Sequence, residues 1–204
     1  VSKLKYKIKS NKIQIIITIG SAGTGKTLLS CQEAIRFFLD KSVDSIIVTR
    51  PAVSVDENLG FLPGTLEQKM APWTRPVFDV LRDYFTANEI TGMIDEGVIE
   101  IAPLAYMRGR TFKRAFIVAD EMQNSTVSQM KMLLTRLGEG SKMAVTGDLN
   151  QADRMKDNGL LDFIGNLSRH PSASRLACVT FSHTDIERHE AVKEVLEVYG
   201  DELV

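Results

Sequence analysis

The sequence predicts an α/β fold in which a largely parallel sheet carries helices on both faces. Three observations lead there. Short, β-branched apolar runs recur along the chain and alternate with stretches of helical spacing. The first such run, Ile13 to Ile19, passes through a glycine-rich loop straight into a helical pattern. A later run, Ala115 to Ala119, ends in the acids Asp120 and Glu121. At 204 residues the chain is one domain, spanning 1–204, with room for an insertion.

Composition narrows the class. Hydrophobic residues are 44% and charged residues 25%, as in a chain with a packed core. The formal net charge of −1 supplies no global positive field, so any nucleic-acid site is local. The two cysteines, Cys31 and Cys178, fall in a predicted helix and a predicted strand. They read as reduced core thiols of a cytoplasmic protein. The three histidines lack zinc-site spacing, and no apolar run approaches the roughly 18 residues of a membrane span. No signal peptide is evident, and the first residue is Val1 rather than methionine.

Residues 1–12 alternate Lys3, Lys5, Lys7 and Lys9 with Leu4, Tyr6 and Ile8, which predicts an extended, edge-like segment with a solvated basic face. The strand over 13–19 then meets Gly20, Ser21, Ala22, Gly23, Thr24, Gly25, Lys26 and Thr27, which fit G-x-x-x-x-G-K-[ST]. Glycines let the backbone turn its N–H groups onto a phosphate, and the next helix adds its positive dipole end. Lys26 is placed to neutralise phosphates and the Thr27 hydroxyl to hold Mg²⁺. The helix over 28–39 has no Gly or Pro.

Ser45 to Thr49 reads as the second buried strand, ended by Arg50-Pro51. Ligands of open α/β sheets sit at the carboxyl ends of strands, so Arg50 lies on the functional edge. There it suits either a structural ion pair or a phosphate contact. Residues 53–97 are too long for a simple crossover and form a helical insertion. Gly60 to Gly64 turn, 65–70 and 72–84 are helical, and Trp73, Phe78, Leu81 and Phe85 pack the insertion onto the body.

Val98 to Ala102 is a further strand. Beyond it, Arg108 and Arg110 flank a glycine beside Tyr106 and Phe112, a grouping suited to a phosphate backbone with aromatic support. The strand over 115–119 has the form of a Walker B motif. Asp120 joins the Mg²⁺ shell and Glu121 orients or deprotonates a water. A residue that activates water favours hydrolysis over transfer to a small molecule. Ser125 is placed to cap a helix over 126–137, ended by Gly138 and Gly140. The strand over 142–146 finishes at Asp148 and Gln151, candidates for sensing a γ-phosphate. A helix over 158–167, a strand over 176–180 and a helix over 185–199 complete the chain, with Arg188 in the last helix a candidate arginine finger.

Together these stretches resemble the PhoH-like P-loop ATPases over about residues 13 to 199. The P-loop, Thr49-Arg50-Pro51-Ala52, Leu59-Gly60-Phe61-Leu62-Pro63-Gly64, Ala102 to Thr111, Asp120 to Asn124, Thr146-Gly147-Asp148 and Arg188-His189 carry the likeness. Met122 stands where the family usually has alanine. The resemblance implies a RecA-like ATPase core similar to one motor domain of superfamily 1 helicases, using ATP and Mg²⁺ and engaging RNA or another single-stranded nucleic acid. Many members occur in bacteriophages. Neither the nucleic-acid-binding module nor the PIN nuclease domain of some members lies in these 204 residues, so RNA cleavage is not expected of them. One such domain is too small for a two-motor site. The expectation is therefore a homo-oligomeric ring, a hexamer, in which Arg188 reaches a neighbour's nucleotide. A protein-coupled switch and a small-molecule kinase are the competing readings.

Overall fold

Buried β-branched runs become the strands of one six-stranded sheet, all of them parallel. The structure is a computed structural model and describes residues 2–51, 75–152, 156–182, 185 and 198. In chain order it contains α1 (Ser2–Lys9), β1 (Ile15–Ile19), α2 (Lys26–Leu39), β2 (Ser45–Arg50), α3 (75–82), α4 (Ala87–Asp95), β3 (Ile99–Pro103), β4 (Ala115–Ala119), α5 (Val127–Leu134), β5 (Lys142–Gly147), α6 (Gly159–Ser168) and β6 (Leu176–Thr180). The strand order is β3-β2-β4-β5-β1-β6. One strand, β5, therefore lies between the strand that feeds the glycine loop and the strand that ends in the acids.

Alternation along each strand divides the core in two. On one face Ile16, Ile46, Val48, Phe116, Val118 and Ala144 pack under the helices of the first half of the chain. On the other Ile17, Ile47, Ile117, Met143 and Val145 pack with Met130, Leu133 and Leu160 of α5 and α6. The described part of the insertion packs as the sequence predicts. Leu81 is buried, and Phe85 meets Phe38 edge to face at 6.4 Å. Helix α4 is additional to the expected elements, yet its start is written in the sequence. Thr86 and Glu89 form a reciprocal capping box. Trp73 and the Gly60 to Gly64 turn lie outside the described residues, as do the insertion's first helix and most of the 185–199 stretch.

Three expectations are corrected. Residues 2–9 are helical rather than extended. Leu4 and Ile8 recur at the i, i+4 spacing and are fully buried against α2, β1 and β6, and this packing decides the conformation where local propensity does not. The cap of α5 is Thr126, not Ser125. Thr126 accepts from the Gln129 amide N–H at 3.1 Å and its own N–H donates to Gln129 Oε1, whereas the Ser125 hydroxyl turns back to the Met122 carbonyl. Finally, α5 stops at Leu134, three residues short of the expected end. Gly138 instead lies so close to the Phe112 carbonyl that a Cβ there would approach it to 2.4 Å.

Lys142, at the start of β5, ties α1 down. Its buried amine donates to the carbonyls of Ile8 and Ser10, covering oxygens that the end of a helix leaves without partners. The ring of Phe37 lies 5.0 Å from the amine. Burial pushes the Lys142 pKa down to about 8. An unfolded lysine titrates near 10.4, so the unfolded chain binds more protons between the two values and stability rises with pH across that window. The cost of burying the charge is complete below about pH 8 and relieved above about pH 10. Chemical denaturation of wild type and Lys142→Met at neutral pH and near pH 10 should show wild type gaining on the variant as pH rises. Parallel pH dependence would refute the burial cost.

Candidate active site

The site forms where the ends of β1, β5, β4 and β2 lie side by side. In the glycine loop, Gly23 and Gly25 take left-handed angles, φ +79° and +74°, which lets the chain wrap without side-chain clashes. Helix α2 begins at Lys26 with no side-chain cap. Its first-turn amide groups are thus available to an anion. The Lys26 amine donates to the carbonyls of Gly20 at 2.7 Å and Ser21 at 2.8 Å. Burial lowers its pKa, and the nearby carboxylates of Asp148, Glu121 and Asp120 act in the opposite direction. Thr24 is buried, and its hydroxyl closes the loop on the Ser21 carbonyl at 2.8 Å.

Asp120 is the junction. Its N–H continues the ladder to the Thr49 carbonyl at 2.9 Å. Its Oδ1 accepts from the Thr27 hydroxyl at 2.7 Å and from the Thr146 hydroxyl. Helix α2, β4 and β5 therefore meet at one carboxylate oxygen. A hydroxyl and a carboxylate are the hard oxygen donors that Mg²⁺ prefers, alongside the waters it retains. Thr27 and Asp120 fit that ion.

Glu121 follows in a left-handed conformation, φ +53° and ψ +35°. A non-glycine residue pays for such an angle, and outliers of this kind gather at functional sites. Its Oε2 accepts from Gln123 Nε2. Its Oε1 lies 4.0 Å from the Arg50 guanidinium, both side chains being about one-third exposed, 34% and 32%. A solvent-accessible pair at that range contributes about 1 kcal/mol or less. Asp148 is buried at the end of β5, where its side chain accepts from the Asn150 N–H at 3.0 Å. The Lys26 amine feels it together with the two Walker B acids.

Of the residues singled out from sequence, the structure brings together Lys26, Thr27, Asp120, Glu121, Asp148 and Arg50. Gln151 is exposed in the short turn Leu149–Gln151, its N–H donating to the Asp148 carbonyl. Arg108 is exposed, and so is Tyr106. Arg110 is engaged elsewhere. It forms a two-pronged ion pair with Glu100 and lies 4.5 Å over the Phe112 ring. Arg188 lies outside the described residues.

Two site residues were not singled out from the sequence. Thr146 is the second hydroxyl on Asp120. Gln123, fully buried, bridges the site. Its amide nitrogen holds Glu121 while its Oε1 accepts the Asp148 N–H at 3.0 Å, and its own carbonyl accepts from Asn158, the cap of α6. A polar residue two positions past the acids, at the functional end of the strand, was the available signal.

The family model described as PhoH-like protein matches residues 2–200. The chain belongs to the PhoH-like family. This is a family of P-loop NTPases, and the RecA-like sheet agrees with it. The chain is 42% identical over 197 residues to a PhoH-like protein of Bacillus subtilis, covering 96% of this chain and 61% of that protein. It is 44% identical over 190 residues to a PhoH-like protein of a Synechocystis strain, covering 92% and 57%. It is 42% identical over 203 residues to protein PhoH of Escherichia coli, covering 98% and 56%. The chain thus spans somewhat over half the length of these relatives. Among the described residues no helix is long and apolar enough to cross a membrane.

Gly147 shows how tightly the site is packed. A Cβ there would come within 2.3 Å of Leu160 Cδ2 and 3.0 Å of Gln123 Oε1. Gly147→Ala should therefore destabilise by about 1–3 kcal/mol, the usual cost of overpacking. At about 2–4 °C per kcal/mol for a chain of this size, calorimetry should find the midpoint lowered by several degrees. An unchanged midpoint would mean that Leu160 and Gln123 yield freely.

Proposed function

We propose that this chain hydrolyses ATP with Mg²⁺ and couples hydrolysis to binding or remodelling of single-stranded RNA or a related single strand. The observation that carries the reading is the single oxygen of Asp120 shared by Thr27 of the glycine loop and Thr146 of β5, with Glu121 next in sequence. Phosphates on the loop amides and Lys26 put the γ-phosphoryl group beside these acids. Thr27 and Asp120 would hold Mg²⁺, which neutralises phosphate charge and orients the oxygens. Glu121 then takes a proton from a water whose oxygen attacks the γ-phosphorus. The bridging oxygen leaves with ADP. Asp148 and Gln151, at the end of β5, register the departure of the γ-phosphate. Arg188 would act from a neighbouring subunit, in a homo-oligomeric ring.

Coupling to a single strand is supported by the exposed Arg108 and Tyr106 and the partly exposed Arg50 on the same strand-end edge. Arg110, satisfied by Glu100, contributes structure there instead.

Phosphate release from ATP, measured with and without single-stranded RNA, tests the reading. Glu121→Gln should retain nucleotide binding and lose about 10²–10⁴-fold in turnover, the range of a general base. Lys26→Ala should lose binding as well. RNA should stimulate the wild type, and turnover per subunit should fall on dilution. Hydrolysis indifferent to RNA would transfer the assignment to a protein-coupled switch. ADP formation that requires a small acceptor would make the protein a kinase.

A further inference from the structure

We propose that Arg50 is a positioning residue that restrains Glu121, and that phosphates of a single-stranded nucleic acid release the restraint by engaging Arg50. The kinetic half of this proposal rests on the ATPase reading above, and the binding half does not. One oxygen of Glu121 carries a hydrogen bond and the other faces a cation. Gln123 donates to Oε2, and Arg50 stands at 4.0 Å from Oε1. A carboxylate with a hydrogen bond on one oxygen and a cation beside the other is less free to turn toward a water. The left-handed backbone of Glu121 marks the same residue as one kept in place by its surroundings.

Of the two restraints only one is open to a ligand. Gln123 is 1% exposed, closed in behind the ends of β4 and β5. Arg50 is 34% exposed on its side chain at the end of β2, where Pro51 ends the strand. Strands β2 and β3 end together, Arg50 opposite Pro103. The turn Leu104–Met107 leaves β3 there, bringing Tyr106, 56% exposed, and the exposed Arg108 to the same edge. Two arginines and an exposed aromatic ring suit a single strand, whose phosphates take the guanidinium groups and whose bases stack. The Arg50–Glu121 pair is loose and about one-third exposed, whereas guanidinium pairs with phosphate through two parallel hydrogen bonds. Exchange therefore favours the strand, and Glu121 keeps the hydrogen bond from Gln123.

Linkage makes the idea testable without hydrolysis. If Glu121 competes with phosphate for Arg50, removing the Glu121 charge frees Arg50 for the strand. Binding of a fluorescein-labelled uridine oligonucleotide to nucleotide-free protein should tighten by up to about five-fold in Glu121→Gln. That gain should vanish when Glu121→Gln is made in an Arg50→Ala background. A gain of equal size in both backgrounds would overturn the proposal, as would failure of the wild type to bind the oligonucleotide. In steady-state kinetics, Arg50→Ala should raise the basal kcat, leave KM for ATP unchanged and abolish stimulation by the oligonucleotide. Arg50→Lys should restore part of the restraint and part of the stimulation. A fall in basal kcat, or stimulation that survives Arg50→Ala, would overturn it. Absence of any hydrolysis by wild type, with the binding cycle as expected, would sink the ATPase reading and leave the Arg50–Glu121 competition standing.

Discussion

One carboxylate oxygen sets the geometry of the whole strand-end face. Asp120 Oδ1 accepts a hydrogen bond from Thr27, on the helix that follows the glycine loop, and another from Thr146, on the strand between. Its backbone is pinned to β2 through Thr49. If any of these partners shifts, the loop, the acids and the end of β5 move relative to one another. The surrounding core makes such shifts costly. Ile16, Ile17, Ile117, Val118, Ala144 and Val145 around these strands are fully buried, and close-packed interiors transmit displacement rather than absorb it.

The polar residues beyond Asp120 form a second layer. Gln123 links the second acid to the end of β5 and, through Asn158, to the start of α6. The Gly159 N–H reaches back to the Ser125 carbonyl at 2.8 Å, and a Cβ on Gly159 would meet the Thr126 carbonyl at 2.3 Å. The two helices on that face are thus seated directly on the segment that carries the acids. This segment is rigid on its buried side and open on the side of Arg50.

The strands, their order of function and the core of the site were legible in the sequence. Glycine spacing, β-branched runs and acids at a strand end each follow from a strong local rule. Most of what was missed depended on tertiary context. Helix α1 exists because Leu4 and Ile8 find a surface and Lys142 finds the end of the helix, and β6 and Lys142 lie far from it in sequence. Thr126 takes the cap from its neighbour Ser125 because Gln129 completes a reciprocal pair, a three-residue relation that also exists in the sequence. Arg110 cannot be distinguished from Arg108 by composition. Only the register of β3, which brings Glu100 within reach, separates the bound arginine from the exposed one.

The position of β5 has a consequence for what the site can accommodate. Neighbouring strands lie about 4.8 Å apart, so β1 and β4, with β5 between them, stand roughly 10 Å apart. That gap is a property of main-chain hydrogen bonding. It is identical whatever side chains line it, and the packed core on both faces keeps it from closing. Substitutions at Thr27, Asp120 or Thr146 can move the loop and the strand ends, but not the spacing of the strands beneath them. The spacing of the strands that carry the loop and the acids is thus written in the strand order, and the chemistry between them in the residues at the strand ends.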